Sequence, residues 1–232
     1  MKKAELLIHR ISSDFISLFV YLYNIILIVS YINASYNVIR RIRRDWEKDK
    51  PEVIMKPFES KDYKAFSMFE KRWALVTAGT PEDFNTCTVS WGSMGNVWGP
   101  NGGDISTVTV YIHPARYTQE FMAKYDTFTV SFFPESQRKA LGYLGSHSGR
   151  DEDKVANSGL TPVAAGDGVT FKEADLTFVC KKLYEHQFDE AHLADNVKEY
   201  YAANPSMYTQ VGKDRWEPHY MYIGEVVEAI EG

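Results

Sequence analysis

Between Trp73 and Ile230 the chain alternates short apolar runs with polar turns, and six of those runs read as β-strands. Trp73 to Ala78 (WALVTA) is a continuous apolar run. Thr86 to Trp91 follows it. Thr107 to His113 sets Thr, Thr, Tyr and His against Val, Val and Ile, a period of two, and Asp126 to Phe133 (DTFTVSFF) repeats that pattern. Leu176 to His186 and Tyr220 to Ile230 complete the set. Three helices fall between strands. Arg116 to Tyr125 places Tyr117, Phe121 and Tyr125 on one stripe, with Pro114 just ahead where proline suits a helix start. Glu135 to Leu144 and Asp189 to Ala203 are the others. Helices this few and this irregularly placed do not build repeated βαβ units. The expected fold is mainly β with short helices, an antiparallel barrel of Greek-key type.

One stretch departs from plain alternation. Asn85 to Gly95 reads NTCTVSWGSMG. A strand there puts Thr86, Thr88 and Ser90 on one face and Cys87, Val89 and Trp91 on the other. The second face is predicted to be core, with Trp91 in it unless the strand breaks there. The hydroxyl face is either solvated or the polar wall of a ligand site. It runs into a turn bounded by Gly92 and Gly95, where the backbone can approach a ligand closely.

Charge divides the chain. Residues 1–54 hold 9 Lys/Arg and 6 Asp/Glu, a balance of +3, within a total of −5. No charged residue occurs between Asp14 and Arg40, and the window of about 15–39 is long enough for a membrane-spanning helix. Arg40, Arg41, Arg43 and Arg44 follow it, which places the C-terminal domain on the cytoplasmic side if the window is an anchor. Three readings stay open: a signal anchor, a cleaved signal peptide, or a translation begun too far upstream, with Met55 as the natural start. The domain expected to do the chemistry is 55–232. Its acidic balance gives no reason to expect nucleic acid as a partner. Two cysteines, Cys87 and Cys180, make neither a disulfide framework nor a metal cluster, which fits a reducing, cytoplasmic setting. Membrane attachment is expected only if the N-terminal extension is real.

Neither GxGxxG after a strand nor GxxxxGK[ST] is present, and GxSxG is absent too. Polar clusters at turns carry the chemistry instead. His113-Pro114-Ala115-Arg116-Tyr117-Thr118 joins a strand end to a helix start, where free N–H groups and the guanidinium suit an anion. Ser146 to Lys154 (SHSGRDEDK) offers hydroxyls, a glycine and two cations amid three acids. An N-cap at Ser148 or Asp151 and a solvated charged face explain that segment without a ligand; the alternative is that its Ser-Gly-Arg entry holds a second set of phosphate or ring contacts. Cys87, His113 and His219 are read as structural, the two histidines near a pocket.

NTCTVSWGSMG, HPARYTQEFM, FTVSFFPE and SGRDEDKVANSGLTP, in this order and spacing, resemble the flavin reductase-like, flavoredoxin-type proteins. The resemblance runs from about Phe58 to the C-terminus. It implies an FMN-binding split β-barrel, a homodimer with FMN near the subunit interface, and NAD(P)H as co-substrate. It places Asn85, Thr86, Thr88, Ser90, Trp91 and Gly92 along the flavin, Arg116 and Thr118 at its phosphate, and Ser148, Gly149, Arg150 and Lys154 closing the site. No dedicated catalytic side chain is implied. The loop Gly99 to Asp104 looks longer than the family pattern. The resemblance implies electron transfer from NAD(P)H through flavin to an acceptor; a non-enzymatic FMN carrier served by a redox partner protein is the alternative.

Overall fold

The computed structural model describes residues 25, 28–41, 56–99, 103–204 and 216–232. By contacts the chain divides into Met1–Met55 and Lys56–Gly232. In the first unit, residues 28–41 are helical and largely exposed, including Ile28, Tyr31, Ile32 and Ile39. The rest of the apolar window, and Met55, lie outside the described residues. Among those described, no helix is long and apolar enough to cross a membrane.

Among its described residues the second unit holds nine strands. β1 (Ala74–Thr80), β2 (Asp83–Val89), β3 (Gly92–Trp98) and β4 (Asp104–Ile112) come first. Helix α1 (Tyr117–Lys124) leads to β5 (Thr127–Phe132), then α2 (Arg138–Ser146) and the short α3 (Lys154–Ser158). A hairpin of β6 (Pro162–Ala165) and β7 (Gly168–Phe171) precedes β8 (Leu176–Gln187), α4 (Asp195–Ala203) and β9 (Tyr220–Glu231). Seven strands form one antiparallel sheet in the order β2-β1-β5-β8-β9-β4-β3. One apolar cluster gathers Val76, Cys87, Val108, Phe128, Phe178 and Tyr222 from six of those strands. The sheet therefore wraps around a common core, yet its edges β2 and β3 do not pair. This is the split antiparallel barrel expected from the sequence.

Both faces of β1 are covered, which explains its unbroken apolar run. Ala74, Val76 and Ala78 face the barrel core, while Leu75 joins Leu141, Leu144 and Phe171 in a second cluster outside it. Full burial of one such side chain contributes about 1.5–3 kcal/mol. β5 shows the polar version. Phe128, Val130 and Phe132 point inward, and Thr129 and Ser131 point outward but are fully buried beneath β7. Ser131, Thr170 and Thr177 close a ring of hydroxyl hydrogen bonds at 2.6–3.0 Å. Alternation of apolar and polar residues here marks a covered face rather than a wet one.

β8 bends through two register irregularities, at Val179/Cys180 and Lys182/Tyr184, so its first half pairs with both β5 and β9 while its second half pairs with β9 alone. Gly224 of β9 sits at this bend. A Cβ there would lie 2.5 Å from the Phe128 ring and 2.8 Å from the Cys180 Cβ. Gly224→Val should therefore destabilise the domain by about 3 kcal/mol, the upper end for overpacking, read as a fall in the urea midpoint. An unchanged midpoint would show that the strands can separate there at no cost.

Several sequence expectations shift. The predicted turn at Gly92–Gly95 is strand β3, hydrogen-bonded along β4 from Gly92–Val110 to Trp98–Asp104. Trp91 is not core: the strand ends at Val89, alternation stops, and the ring is 44% exposed. The helix expected over 189–203 is a 3₁₀ turn at Glu190–His192 followed by α4, and that over 135–144 starts as a 3₁₀ turn before α2. Of the long loop Gly99 to Asp104, residues 100–102 lie outside the described residues.

Candidate functional site

The hydroxyl face of β2 is neither solvated nor a continuous ligand wall, because α2 lies across it. Thr86 is fully buried; its hydroxyl donates to the Val76 carbonyl at 3.1 Å and accepts from Thr77 at 2.9 Å. Thr88 donates to the Leu141 carbonyl of α2 at 2.5 Å. Ser90, just past the strand end, is exposed.

Where β4 ends, the chain turns through Pro114 into α1. Arg116 is the N-cap residue, with extended backbone (φ −76°, ψ 129°). Its Nη1 donates to the Gly145 carbonyl in the last turn of α2 at 2.6 Å, which fixes the guanidinium. Arg116 then lines a cavity of about 120 Å³ together with Thr88, Ser90, Trp91, His113 and His219. The His113 and His219 rings meet edge to face at 5.0 Å, and Trp91 lies 4.5 Å from His219. His113 Nδ1 accepts from the Ala115 N–H at 3.0 Å, so the proton of the neutral ring sits on Nε2. Burial and then the Arg116 charge lower His113 to about 4; burial, then the neighbouring His113 and the Arg116 charge, lower His219 to about 3. Both are therefore neutral at pH 7. Among the described residues, no Asp or Glu lines this cavity.

A groove of about 460 Å³ shares the Ser90, Trp91 and Tyr111 walls of that cavity and continues to Phe66, Phe69 and Phe188. Its floor at Gly92 rests on the Phe69 ring so tightly that a Cβ would lie 2.3 Å away. Phe66 at its lip is 95% exposed.

A second groove, of about 740 Å³, holds the other expected residues Asn85, Gly149, Arg150 and Lys154. Gly149 is pressed against Asn85: an added Cβ would stand 2.2 Å from Asn85 Nδ2. Asn85 Oδ1 accepts from Thr118, which is fully buried. Arg150 stacks over Tyr117 at 4.7 Å, donates to the Ala115 carbonyl and pairs with Glu120. Lys154, 4% exposed, donates to the Leu144 and His147 carbonyls, and burial lowers its pKa. Five carboxylates, Glu82, Asp83, Asp151, Glu152 and Asp153, line this groove beside Arg150 and Lys154, an acidic excess.

The three polar clusters thus converge in space, but their residues divide. Thr88, Ser90, Trp91 and Arg116 line the polar cavity, and Gly92 the aromatic groove. Asn85, Gly149, Arg150 and Lys154 line the acidic groove. Thr86 and Thr118 reach neither, and Ser148 lines none of these spaces; its hydroxyl accepts from the Arg150 N–H at 3.2 Å. Tyr111, His113, Phe188 and His219 join the walls without having been singled out as ligand contacts. Tyr111 and His113 stand on the polar face of the β4 alternation, which was the available signal.

A sequence profile described as "Flavin reductase like domain" matches residues 66–231. No curated protein matches the chain. Among solved structures, an FMN-binding protein from Thermus thermophilus with bound 1-cyclohex-2-enone is similar at a TM-score of 0.50 and 22% identity, over 76% of this chain and 80% of that one. A second structure of it, with bound p-hydroxybenzaldehyde, gives 0.50 and 20%, over 79% and 80%. Flavoredoxin from Methanosarcina acetivorans gives 0.49 and 20%, over 69% and 68%. At such identities the likeness to the two Thermus thermophilus structures is one of fold.

Proposed function

The chain belongs to the flavin reductase-like domain family, and on that premise we propose that it binds FMN and passes electrons from NAD(P)H through the flavin to an acceptor. The observation that carries this reading is the pair of adjoining spaces: a small polar cavity with Arg116 as its fixed cation, opening beside an aromatic groove. A guanidinium suits a phosphate group, and a groove of Phe, Tyr and Trp suits a flat ring system. The groove volume falls within the usual range of about 300–1,000 Å³ for small-molecule sites.

Arg116, held by Gly145, would take the phosphate, and Ser90 the polar tail nearby. Trp91, Tyr111, Phe69 and Phe188 would exclude water from the ring. The bound flavin supplies the redox chemistry, and the protein contributes placement and charge. Exposure of Phe66 at the lip favours a homodimer in which a second copy covers the groove.

Purified protein should be yellow, or turn so with micromolar FMN, should bleach anaerobically with NADH or NADPH, and should sediment as twice the 26.6 kDa chain. Protein that stays colourless and refuses FMN overturns the reading. Bound flavin left oxidised by both nicotinamides makes the protein an electron carrier, and a monomer removes the covering copy.

A further inference from the structure

Resting on that flavin reading, we propose that Lys154 is a positioning residue for the cofactor phosphate: it binds α2 on both sides of Gly145 and so fixes the carbonyl that holds Arg116 at the polar cavity. Lys154 acts through Arg116 and touches no ligand itself.

The last carbonyls of a helix have no partner within it and attract cationic donors. At the end of α2 they are taken in turn. Tyr143 accepts from the His147 N–H at 3.1 Å. Lys154 Nζ donates to the Leu144 carbonyl at 3.2 Å and to that of His147 at 3.1 Å. Arg116 Nη1 donates to Gly145, between them, at 2.6 Å. The helix is also pinned to β2: Thr88 donates to the Leu141 carbonyl at 2.5 Å, and a Cβ on Gly145 would stand 3.2 Å from Thr88. Arg116 thus meets the cavity from a helix end held by β2 on one side and by the first residue of α3 on the other.

Lys154 is 4% exposed and lines the acidic groove, whereas Arg116 lines the polar cavity. Burial is the main cause of the lowered Lys154 pKa, and the Arg116 charge adds to it, so the two side chains sense each other across the helix end. Loss of the Lys154 donor would leave the buried Leu144 carbonyl, one residue before Gly145, without that partner. An unsatisfied buried acceptor is costly. The Arg116 guanidinium has five N–H donors and would turn to satisfy it, at the expense of its orientation in the cavity.

Flavin fluorescence titration of the full-length protein with FMN and with riboflavin reads this as a ratio of affinities, since a general loosening lowers both alike. The ratio of FMN to riboflavin affinity should fall about fivefold in Lys154→Met, a usual size for coupled neighbours. It should fall no further when the same substitution is added to Arg116→Ala. A ratio that falls equally in both backgrounds makes Lys154 a direct phosphate contact and overturns the inference. A ratio unmoved by Lys154→Met, with FMN still bound, overturns it and leaves the flavin reading standing. Should Lys154→Met fail to fold, Lys154→Gln, whose amide can still donate to one carbonyl, carries the same comparison with the same outcomes. Failure of the unaltered protein to bind FMN removes the flavin reading and this inference with it.

Discussion

Acidification from pH 7 to pH 4 should weaken the ligand-free protein by on the order of 5 kcal/mol, most of it before the carboxylates titrate. An unfolded histidine takes its proton near 6.5, whereas His113 and His219 in the native state wait until about 4 and about 3. Between those values the unfolded chain binds up to two protons more than the native one, so stability falls as the pH falls. One pKa unit corresponds to about 1.36 kcal/mol, and two histidines give a limiting slope of about 2.7 kcal/mol per pH unit. Above pH 6.5 the contribution is complete. Losses of this size are comparable with the whole stability of an ordinary domain, about 5–15 kcal/mol. Urea midpoints measured at pH 7, 6, 5 and 4.5 check it. His219→Gln should roughly halve the slope. A midpoint that stays level between pH 7 and 5 would mean that the two rings are hydrated in solution.

Replacing Arg116 by alanine should weaken FMN binding roughly ten- to a hundredfold, the equivalent of about 1.5–3 kcal/mol for a charge-assisted contact. The substitution also removes the bond to the Gly145 carbonyl, so a general loosening must be told apart from a lost phosphate contact. Riboflavin makes the distinction: its affinity should be the same in both proteins. Arg116→Lys keeps the charge without the planar fork and should recover part of the loss. Equal losses for FMN and riboflavin, or no loss for either, would take Arg116 out of the phosphate role. Flavin fluorescence titration gives all of these values.

Much of the barrel was legible because inward-facing residues repeat every second position and the runs end at turn residues. β4, β5, β8 and β9 announce themselves in this way. β3 does not: GSMGNVW has two glycines and an exposed pattern, as an edge strand with only one neighbour can. β6 and β7 are four residues each, too short for a period to register. Their absence from the sequence reading carries a further cost, since they are what buries Thr129 and Ser131 and turns an apparently solvated face into an interior one.

The site was legible in its parts and not in its partition. HPARYT and SGRDEDK do meet, through Arg150 to Ala115, and HPARYT also reaches the end of α2 through Arg116 to Gly145. Which of their side chains share a cavity depends on α2 lying across β2, a tertiary event with no local signal. Trp91 was misplaced for a related reason: alternation is a sound guide only as far as the strand continues, and β2 stops two residues earlier.

The Phe188 N–H donates to the His219 carbonyl and Gln187 Nε2 to the Pro218 carbonyl, both at 3.0 Å, so residues 188 and 219 form a hydrogen-bonded gate at the end of the β8–β9 pairing. Its two gateposts are themselves walls of the proposed site. A change in the number of residues between these gateposts should therefore leave the β8–β9 pairing in place. Such changes would act at Phe188 and His219, two walls of the proposed site, and leave Arg116 untouched, which makes this the natural place for substrate range to diversify.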